Sequence, residues 1–157
     1  MKKKIVLMLT VIMLIGLAGC GKNQINIKET GTSDNNEQMV QNIYENKRTE
    51  VKQKISEIKE RLPETSAEDK GTCGSKAKWY YKDNTLIIYG EGVITEDTWH
   101  KSNIVINTVV IDSGITKLGN NMFSGLGSEV GKNIENFYIA DGLEEIGSST
   151  FVNCDCL

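Results

Sequence analysis

Apolar and polar residues are arranged in four different ways along the chain. A continuous apolar run at residues 5–17 follows Lys2, Lys3 and Lys4. Residues 20–37 are polar and show no apolar period. Residues 38–63 carry apolar side chains at helical spacing, and the remainder alternates in short β-rich runs. The pattern therefore predicts a leader, a disordered tether, a helix and a mostly-β domain, in that order.

The amino-terminal apolar run is typical of a secretory signal peptide over residues 1–19. A bilayer-spanning helix needs about 20 apolar residues, and this run is shorter. A positive start, a short apolar segment and small residues at its end indicate export and cleavage. The four residues Leu17, Ala18, Gly19 and Cys20 resemble the lipobox of bacterial lipoproteins. The alternative is an ordinary signal peptide followed by a cysteine.

The lipobox resemblance implies that the chain is cut between Gly19 and Cys20 and that the Cys20 sulfur carries diacylglycerol. Two or three acyl chains, such as palmitate, give stable attachment, whereas one chain gives marginal binding. We therefore expect a protein held at the extracytoplasmic face of the cell membrane by lipid on Cys20. No transmembrane helix is needed for this attachment.

Residues 38–63 are predicted to form an amphipathic helical stalk, after a disordered tether at residues 20–37. Val51, Ile55, Ile58 and Leu62 are spaced four, three and four apart, which places them on one helix face. Pro63 ends the pattern, because proline disfavours helix in the residue before it. Two arrangements remain open. The helix packs on its own domain, or it forms a short coiled coil that gives a weak homodimer.

A β-hairpin is predicted within residues 71–106, which follow a linker at residues 64–70. Residues 77–81 and 85–89 are rich in aromatic and β-branched side chains, and Asp83 and Asn84 lie between them as a turn. This region is expected to cap the amino-terminal end of residues 107–157.

Residues 107–157 contain an internal repeat with an offset of 28 residues. Apolar residues stay in register across the two units, and we expect them to form the repeat core: Ile111 with Ile139, Ile115 with Leu143, Leu118 with Ile146, and Phe123 with Phe151. A fixed period of this kind predicts a solenoid, in which each coil buries its apolar face against the next.

The repeat region resembles the BspA-type leucine-rich repeat of bacterial surface proteins. The resemblance rests on an apolar strand, a glycine turn, Ile146-Gly147, then Phe151 and Cys154. It implies a short solenoid displayed at the cell surface for protein binding or adhesion. The unit is longer than usual, so residues 127–132 look like an insertion. About three units are normally needed for stability. Either the hairpin supplies the missing layer, or the chain is a fragment of a longer array.

The composition limits the kinds of ligand and activity that we expect for this chain. The net charge is −3, and an acidic chain is a poor partner for nucleic acid. We expect no enzymatic activity, cofactor or metal site. His100 is the sole histidine, and nothing in the sequence orients it toward Cys73, Cys154 or Cys156. Cys154 is expected to be a small buried apolar side chain. The alternative role is an accessory envelope lipoprotein that self-associates through its helix.

Overall fold

The structure, a computed structural model, describes residues 33–102, 104–124, 134–152 and 154. The predicted signal peptide, Cys20, most of the tether and the predicted insertion at residues 127–132 lie outside the described residues. Within these described residues, the helix α1 is followed by seven strands and two 3-10 helices. Their bounds are α1 Ser33–Arg61, a 3-10 helix Glu64–Ser66, β1 Asp69–Thr72, β2 Lys76–Lys82, β3 Thr85–Ile94, a 3-10 helix Thr98–Ser102, β4 Thr108–Ile111, β5 Ile115–Leu118, β6 Asn136–Ile139 and β7 Glu145–Ile146.

Strands β2 and β3 form the predicted hairpin. Asp83 and Asn84 have positive φ angles of 47° and 57°, as a two-residue type I′ turn requires. Strand β1 pairs antiparallel with β2, from Asp69 opposite Tyr81 to Thr72 opposite Lys78. The sheet therefore begins at Asp69, two residues before the boundary expected at residue 71.

The second strand of the hairpin also begins the solenoid. The first half of β3 pairs parallel with β4, and β4 pairs parallel with β6. The second half of β3 pairs parallel with β5, and β5 with β7. Three stacked coils result, headed by β3, β4 and β6. The hairpin region thus supplies a layer in addition to the two repeat units. The resulting three coils match the number of repeats, about three, that a stable solenoid normally needs.

The interior of the coils is filled by a column of aromatic rings. Trp99 stacks on Phe123 with centroids 5.5 Å apart, and Phe123 stacks on Phe151 at 5.7 Å. Phe137 packs edge-on against Phe123 and Phe151, at 5.0 and 5.1 Å. Offset-stacked and edge-to-face pairs are the favoured aromatic geometries. Each coil therefore contributes one stacked ring, the third coil adds Phe137, and these rings join the coils into one core.

Both faces of the parallel sheet are covered, which explains the nearly continuous apolar run in β4. Val109 and Ile111 belong to the core inside the coils, whereas Val110 belongs to a second apolar cluster under α1. Alternate residues of a strand point to opposite faces, and a strand covered on both faces loses the apolar-polar alternation. The described part of the chain therefore has a mostly-β fold of stacked coils, with one helix on the outer face of its sheet.

Candidate binding surface

The helix α1 packs its apolar seam on the sheet. Ile55, Ile58 and Leu62 are 5%, 5% and 3% exposed, and they cluster with Tyr80, Ile87 and Val110 of the sheet. The Tyr80 hydroxyl donates a 2.9 Å hydrogen bond to the Leu62 carbonyl, one of the carbonyls that a helix end leaves without an intrahelical donor. The seam that could have paired two stalks in a coiled coil is thus occupied by the chain's own sheet.

Ion pairs fix one flank of α1 to the turns that follow the strands. Arg48 Nε and Lys52 Nζ lie 3.0 and 2.7 Å from the carboxylate of Asp141, which follows β6. Lys59 pairs with Asp112, which follows β4. The hydrogen bond from Arg48 is the main reason that the pKa of Asp141 lies below its ordinary value. The helix therefore lies toward the carboxyl ends of β4 and β6.

The helix is longer than the sheet that it covers. Its 29 residues correspond to about 43 Å at about 1.5 Å per residue. Contacts with the sheet run from Leu62 back to Arg48, or about 21 Å, which matches five strands at about 4.8 Å spacing. Residues 33–47, here called the overhang, precede Arg48 and are about 22 Å long. Met39 and Ile43 on it are 50% and 41% exposed.

An open groove runs along the other flank of α1. Two adjoining depressions of about 320 and 400 Å³ share Lys54, Glu57 and Tyr138, so they form one continuous groove. Its floor includes Thr108 and Asn136, the first residues of β4 and β6. The rest of its wall is formed by α1, with the polar residues Lys47, Glu50, Gln53 and Arg61 and the apolar residues Val51 and Ile58. The groove is thus mixed in charge and ends beside β6.

Strand β6 has one free edge among the described residues, since its pairing is with β4 alone. The amides of Asn136 and Ala140 donate to Asn107 and Ile111. Alternation along the strand then directs the backbone groups of Phe137 and Ile139 outward. All four residues of β6 are partly exposed, whereas Val109, Val110 and Ile111 of β4 are buried. Within the described part of the chain, the last coil is the least covered.

The structure brings the expected repeat-core residues together in register. Ile111 lies opposite Ile139, and Leu118 lies opposite Ile146. The first-unit members of the set are fully buried, namely Ile111, Ile115, Leu118 and Phe123, while their second-unit partners are partly buried and pack against them: Ile139, Leu143, Ile146 and Phe151. The lipidation and cleavage residues Cys20 and Gly19 lie outside the described residues.

The cysteines that the structure describes are not joined to each other. Cys73 is a free thiol. Cys73 is fully buried, and this burial raises the pKa of its thiol to about 12. Cys154 is half-buried, and its Sγ donates to the Phe123 carbonyl at 3.3 Å. Its thiol thus links the third coil to the second, in addition to filling space.

The remaining candidate residues are engaged locally. His100 is exposed, and its Nδ1 lies 2.6 Å from Asp97, while Glu145 pairs with Lys117 at 2.7 Å. Among the described residues, no group of three His, Cys, Asp or Glu side chains is placed to hold a metal ion. In the same part of the chain, no helix is both long and apolar enough to cross a bilayer.

The groove was not found from the sequence. The groove residues Asn136 and Tyr138 carry no motif, because the groove exists only where α1 lies across the strands. The additional coil did leave a signal: Trp99 precedes Phe123 by 24 positions, close to the repeat offset. The role of Asp141 as an anchor point for α1 has no signal in the sequence.

Comparison with known proteins gives one partial similarity to report. No family model matches the chain, and no curated protein matches it. The chain is similar to the crystal structure of a leucine-rich repeat protein from Eubacterium ventriosum ATCC 27560, with 25% identity and a TM-score of 0.46. The match covers 54% of this chain and 23% of that protein.

Proposed function

We propose that this chain is a lipid-anchored protein of the cell surface whose repeat domain binds another protein. The observation that carries the proposal is the groove beside α1, whose floor includes the first residues of β4 and β6. The outer sheet face, which an open solenoid would present to a partner, is under α1, so binding is assigned to the groove.

The anchoring half of the proposal rests on Cys20 and its lipobox. Intact mass and membrane partition should be compared between the expressed chain and Cys20→Ala. We expect the first to gain lipid mass and to sediment with membranes, and Cys20→Ala to do neither. Equal processing and release of both forms would contradict the anchor.

The binding half is tested by retention of surface proteins on the immobilised full chain. Asn136→Arg places a long cation in the groove, and we expect it to abolish retention. Thr95→Arg is the matched control, because Thr95 is exposed beyond the far end of β3. Retention equal to that on a blank matrix, or retention that both variants leave intact, would reject the groove as a binding site.

A second candidate is an accessory envelope lipoprotein that self-associates. The specific observation in its favour is the overhang, on which the apolar side chains of Met39 and Ile43 are exposed to solvent. Because the seam Val51, Ile55, Ile58 packs on the sheet, this association requires a different surface of the helix. Sedimentation of the full chain tests it, with a monomer at tens of micromolar as the contrary result.

A further inference from the structure

We propose that the sheet face beneath α1 is a second binding site, which accepts an amphipathic, basic helix of another protein in place of α1. In this arrangement α1 is an internal stand-in for the partner helix, and it keeps the face closed until the partner displaces it. The surface concerned is the one that α1 covers, and it is distinct from the open groove. Its use by a partner depends neither on the lipid anchor nor on occupation of the groove.

A single row of side chains runs straight across the sheet under α1. Strand pairing places Tyr80 beside Ile87, and Val110 lies between Ile87 and Tyr138. Directly opposite residues of neighbouring strands lie on the same face. Four strands at about 4.8 Å spacing make the row about 14 Å long, and three helical turns rise about 16 Å. The row is therefore a track for about three turns of helix.

The side chains of this row suit exposure as well as burial. Tyr80 and Tyr138 form its two ends, and Tyr89 belongs to the same apolar cluster. Tyrosine combines an apolar ring with a hydroxyl group that water can satisfy, and it is enriched at protein interfaces for this reason. A face of this composition can therefore be open to solvent between the departure of one helix and the docking of another.

The coils do not need α1 to close their own core. The apolar cluster under α1 and the core inside the coils have no residue in common. The buried side chains that α1 contributes to its cluster are Ile55, Ile58 and Leu62. The ion pairs of α1 with Asp112 and Asp141 join partly exposed side chains, and such pairs contribute little. A helix with a similar apolar seam can therefore compete with α1.

The connection between α1 and β1 allows the helix to leave as a unit. Within residues 63–67, the amides of Ser66 and Ala67 donate to carbonyl groups of the same connection. The amide of Glu68 donates to the Tyr81 carbonyl, which belongs to the sheet. Movement of α1 about residues 63–67 therefore leaves β1 in place.

The contacts of α1 define the chemistry of the partner helix. Its three buried anchors follow one another at spacings of three and four residues, which is the pattern of a helix that binds through one face. Lys52 pairs with Asp141. Two helical turns further along, Lys59 pairs with Asp112. The partner is accordingly a helix of about three turns with one apolar face and cations two turns apart along its border, because charged hydrogen bonds to carboxylates are the stronger ones.

The probe is a synthetic peptide that spans residues 48–62 and shares only the docking pattern with α1. Alanine and glutamine fill its other positions, and a peptide of the same composition in scrambled order is the control. The peptide keeps six side chains of α1, namely Arg48, Lys52, Ile55, Ile58, Lys59 and Leu62. Because a tethered helix has an effective concentration of about 1 mM, displacement of α1 from the wild-type face should need roughly millimolar peptide.

Displacement is followed by methyl NMR of the full chain in detergent, with the isoleucines of the protein labelled and the peptide unlabelled. As the peptide is added, we expect the methyl signals of Ile55 and Ile58 to move to the positions of solvent-exposed side chains. The signal of Ile115, which lies in the core inside the coils, should stay in place. A helix that is a permanent part of the fold would leave all three signals where they are.

A variant that disables the chain's own helix gives a second measurement. Ile55→Asp with Ile58→Asp, here called the disarmed chain, should bind the peptide at least about tenfold more tightly than wild type, because the internal competitor is lost. Thr49→Asp with Ser56→Asp is the matched control, since both residues are exposed on α1, and its affinity should equal that of wild type. Circular dichroism checks that the strands of each variant are intact.

Charge reversal tests the recognition of cations. In the disarmed chain, Asp141→Lys should weaken binding of the peptide. A peptide with glutamate at positions 48 and 52 should bind this variant more tightly than the original peptide does, because the reversed charges attract each other again. Glu96→Lys is the matched control, because it changes the net charge equally at an exposed residue beyond the end of β3. It should leave the affinity unchanged.

Three results would overturn the inference. The first is a peptide that binds neither form of the chain, or that binds no better than its scrambled control. The second is a disarmed chain whose coils do not fold. The third is an Ile115 signal that moves together with those of Ile55 and Ile58, because α1 would then be inseparable from the coils. Retention of surface proteins through the groove is measured with α1 in place, so that function is supported or rejected separately.

Discussion

The aromatic column gives the sharpest test of the three-coil core. Phe123 is fully buried and its ring contacts Trp99, Phe137 and Phe151. Truncation of a buried phenylalanine to alanine costs about 3–5 kcal/mol, through lost transfer energy and the cavity that remains. Total stabilities of domains are about 5–15 kcal/mol. We therefore expect Phe123→Ala to leave the domain folded but marginal.

The assay is equilibrium unfolding of the full chain in urea, followed by tryptophan fluorescence, because Trp99 stacks directly on Phe123. With a slope of about 2 kcal/mol per molar urea, a loss of 4 kcal/mol moves the midpoint down by about 2 M. Phe123→Leu keeps most of the volume and should cost less than about 1.5 kcal/mol.

Phe151→Ala is the comparison variant. It tests whether the loss of stability reflects the central position of Phe123 in the column or follows the removal of any aromatic ring. Phe151 is only partly buried at the last coil, so its truncation should cost roughly half as much as that of Phe123. If Phe151→Ala is as costly as Phe123→Ala, or if Phe123→Ala costs under about 1 kcal/mol, the column is not the centre of the core.

Three further outcomes are expected. Asp141→Asn should lower the free energy of unfolding by up to about 1 kcal/mol at neutral pH, as for exposed ion pairs. Because the pKa of Asp141 is lowered in the folded protein, this stabilisation is present above the pKa of the unfolded chain. It is lost as the pH falls through the pKa of the folded protein. Cys73 should resist N-ethylmaleimide in the folded chain at mildly alkaline pH, since its thiol has a pKa of about 12, and should react on unfolding. Gly114→Ala places a Cβ 1.9 Å from a backbone oxygen of β3, so it should lower the free energy of unfolding by about 3 kcal/mol. Gly92→Ala places its Cβ in open space, and only the positive φ angle of Gly92 is unfavourable, so the loss should be about 1 kcal/mol.

Each of these outcomes has a contrary result. If the free energies of unfolding of wild type and Asp141→Asn differ by the same amount at acid and neutral pH, the charged carboxylate of Asp141 is not the source of the stabilisation. Labelling of Cys73 at the rate of an unfolded control would place it at the surface. Equal unfolding midpoints for the two glycine variants would mean that the coils are not in close backbone contact.

The sequence predicted what depends on local pattern. The hairpin turn at Asp83 and Asn84 and the seam of α1 follow from composition and spacing over a few residues, and both elements are present with small shifts of bounds. The repeat offset placed Ile111 and Ile139 in equivalent positions, and the structure pairs them. A repeat can be recognised in a single sequence because its periodicity does not depend on tertiary contacts.

What depends on long-range docking was not predictable in the same way. The pattern of α1 shows which face is apolar but not what it packs against, so Ile55 and Ile58 left both a packed helix and a dimeric coiled coil open. The sheet residues under α1 give a weak signal, since Val110 lies inside an apolar run that one-sided burial does not explain. The groove is defined by both elements together, and neither segment alone indicates it.

The order of α1 in the chain has a consequence for how the molecule assembles. Arg48 and Asp141 are 93 positions apart, so the helix is made first and its docking site is complete only when β6 has joined the sheet. Contacts of such separation form late, because loop closure must come before them. We therefore expect the Arg48 end of α1 to dock late in folding and to be released early in opening. Amide exchange in residues 48–62 should then report a partial unfolding of lower free energy than that of β3 and β4, and a protease acting on the folded protein should cut in α1 before it reaches the coils.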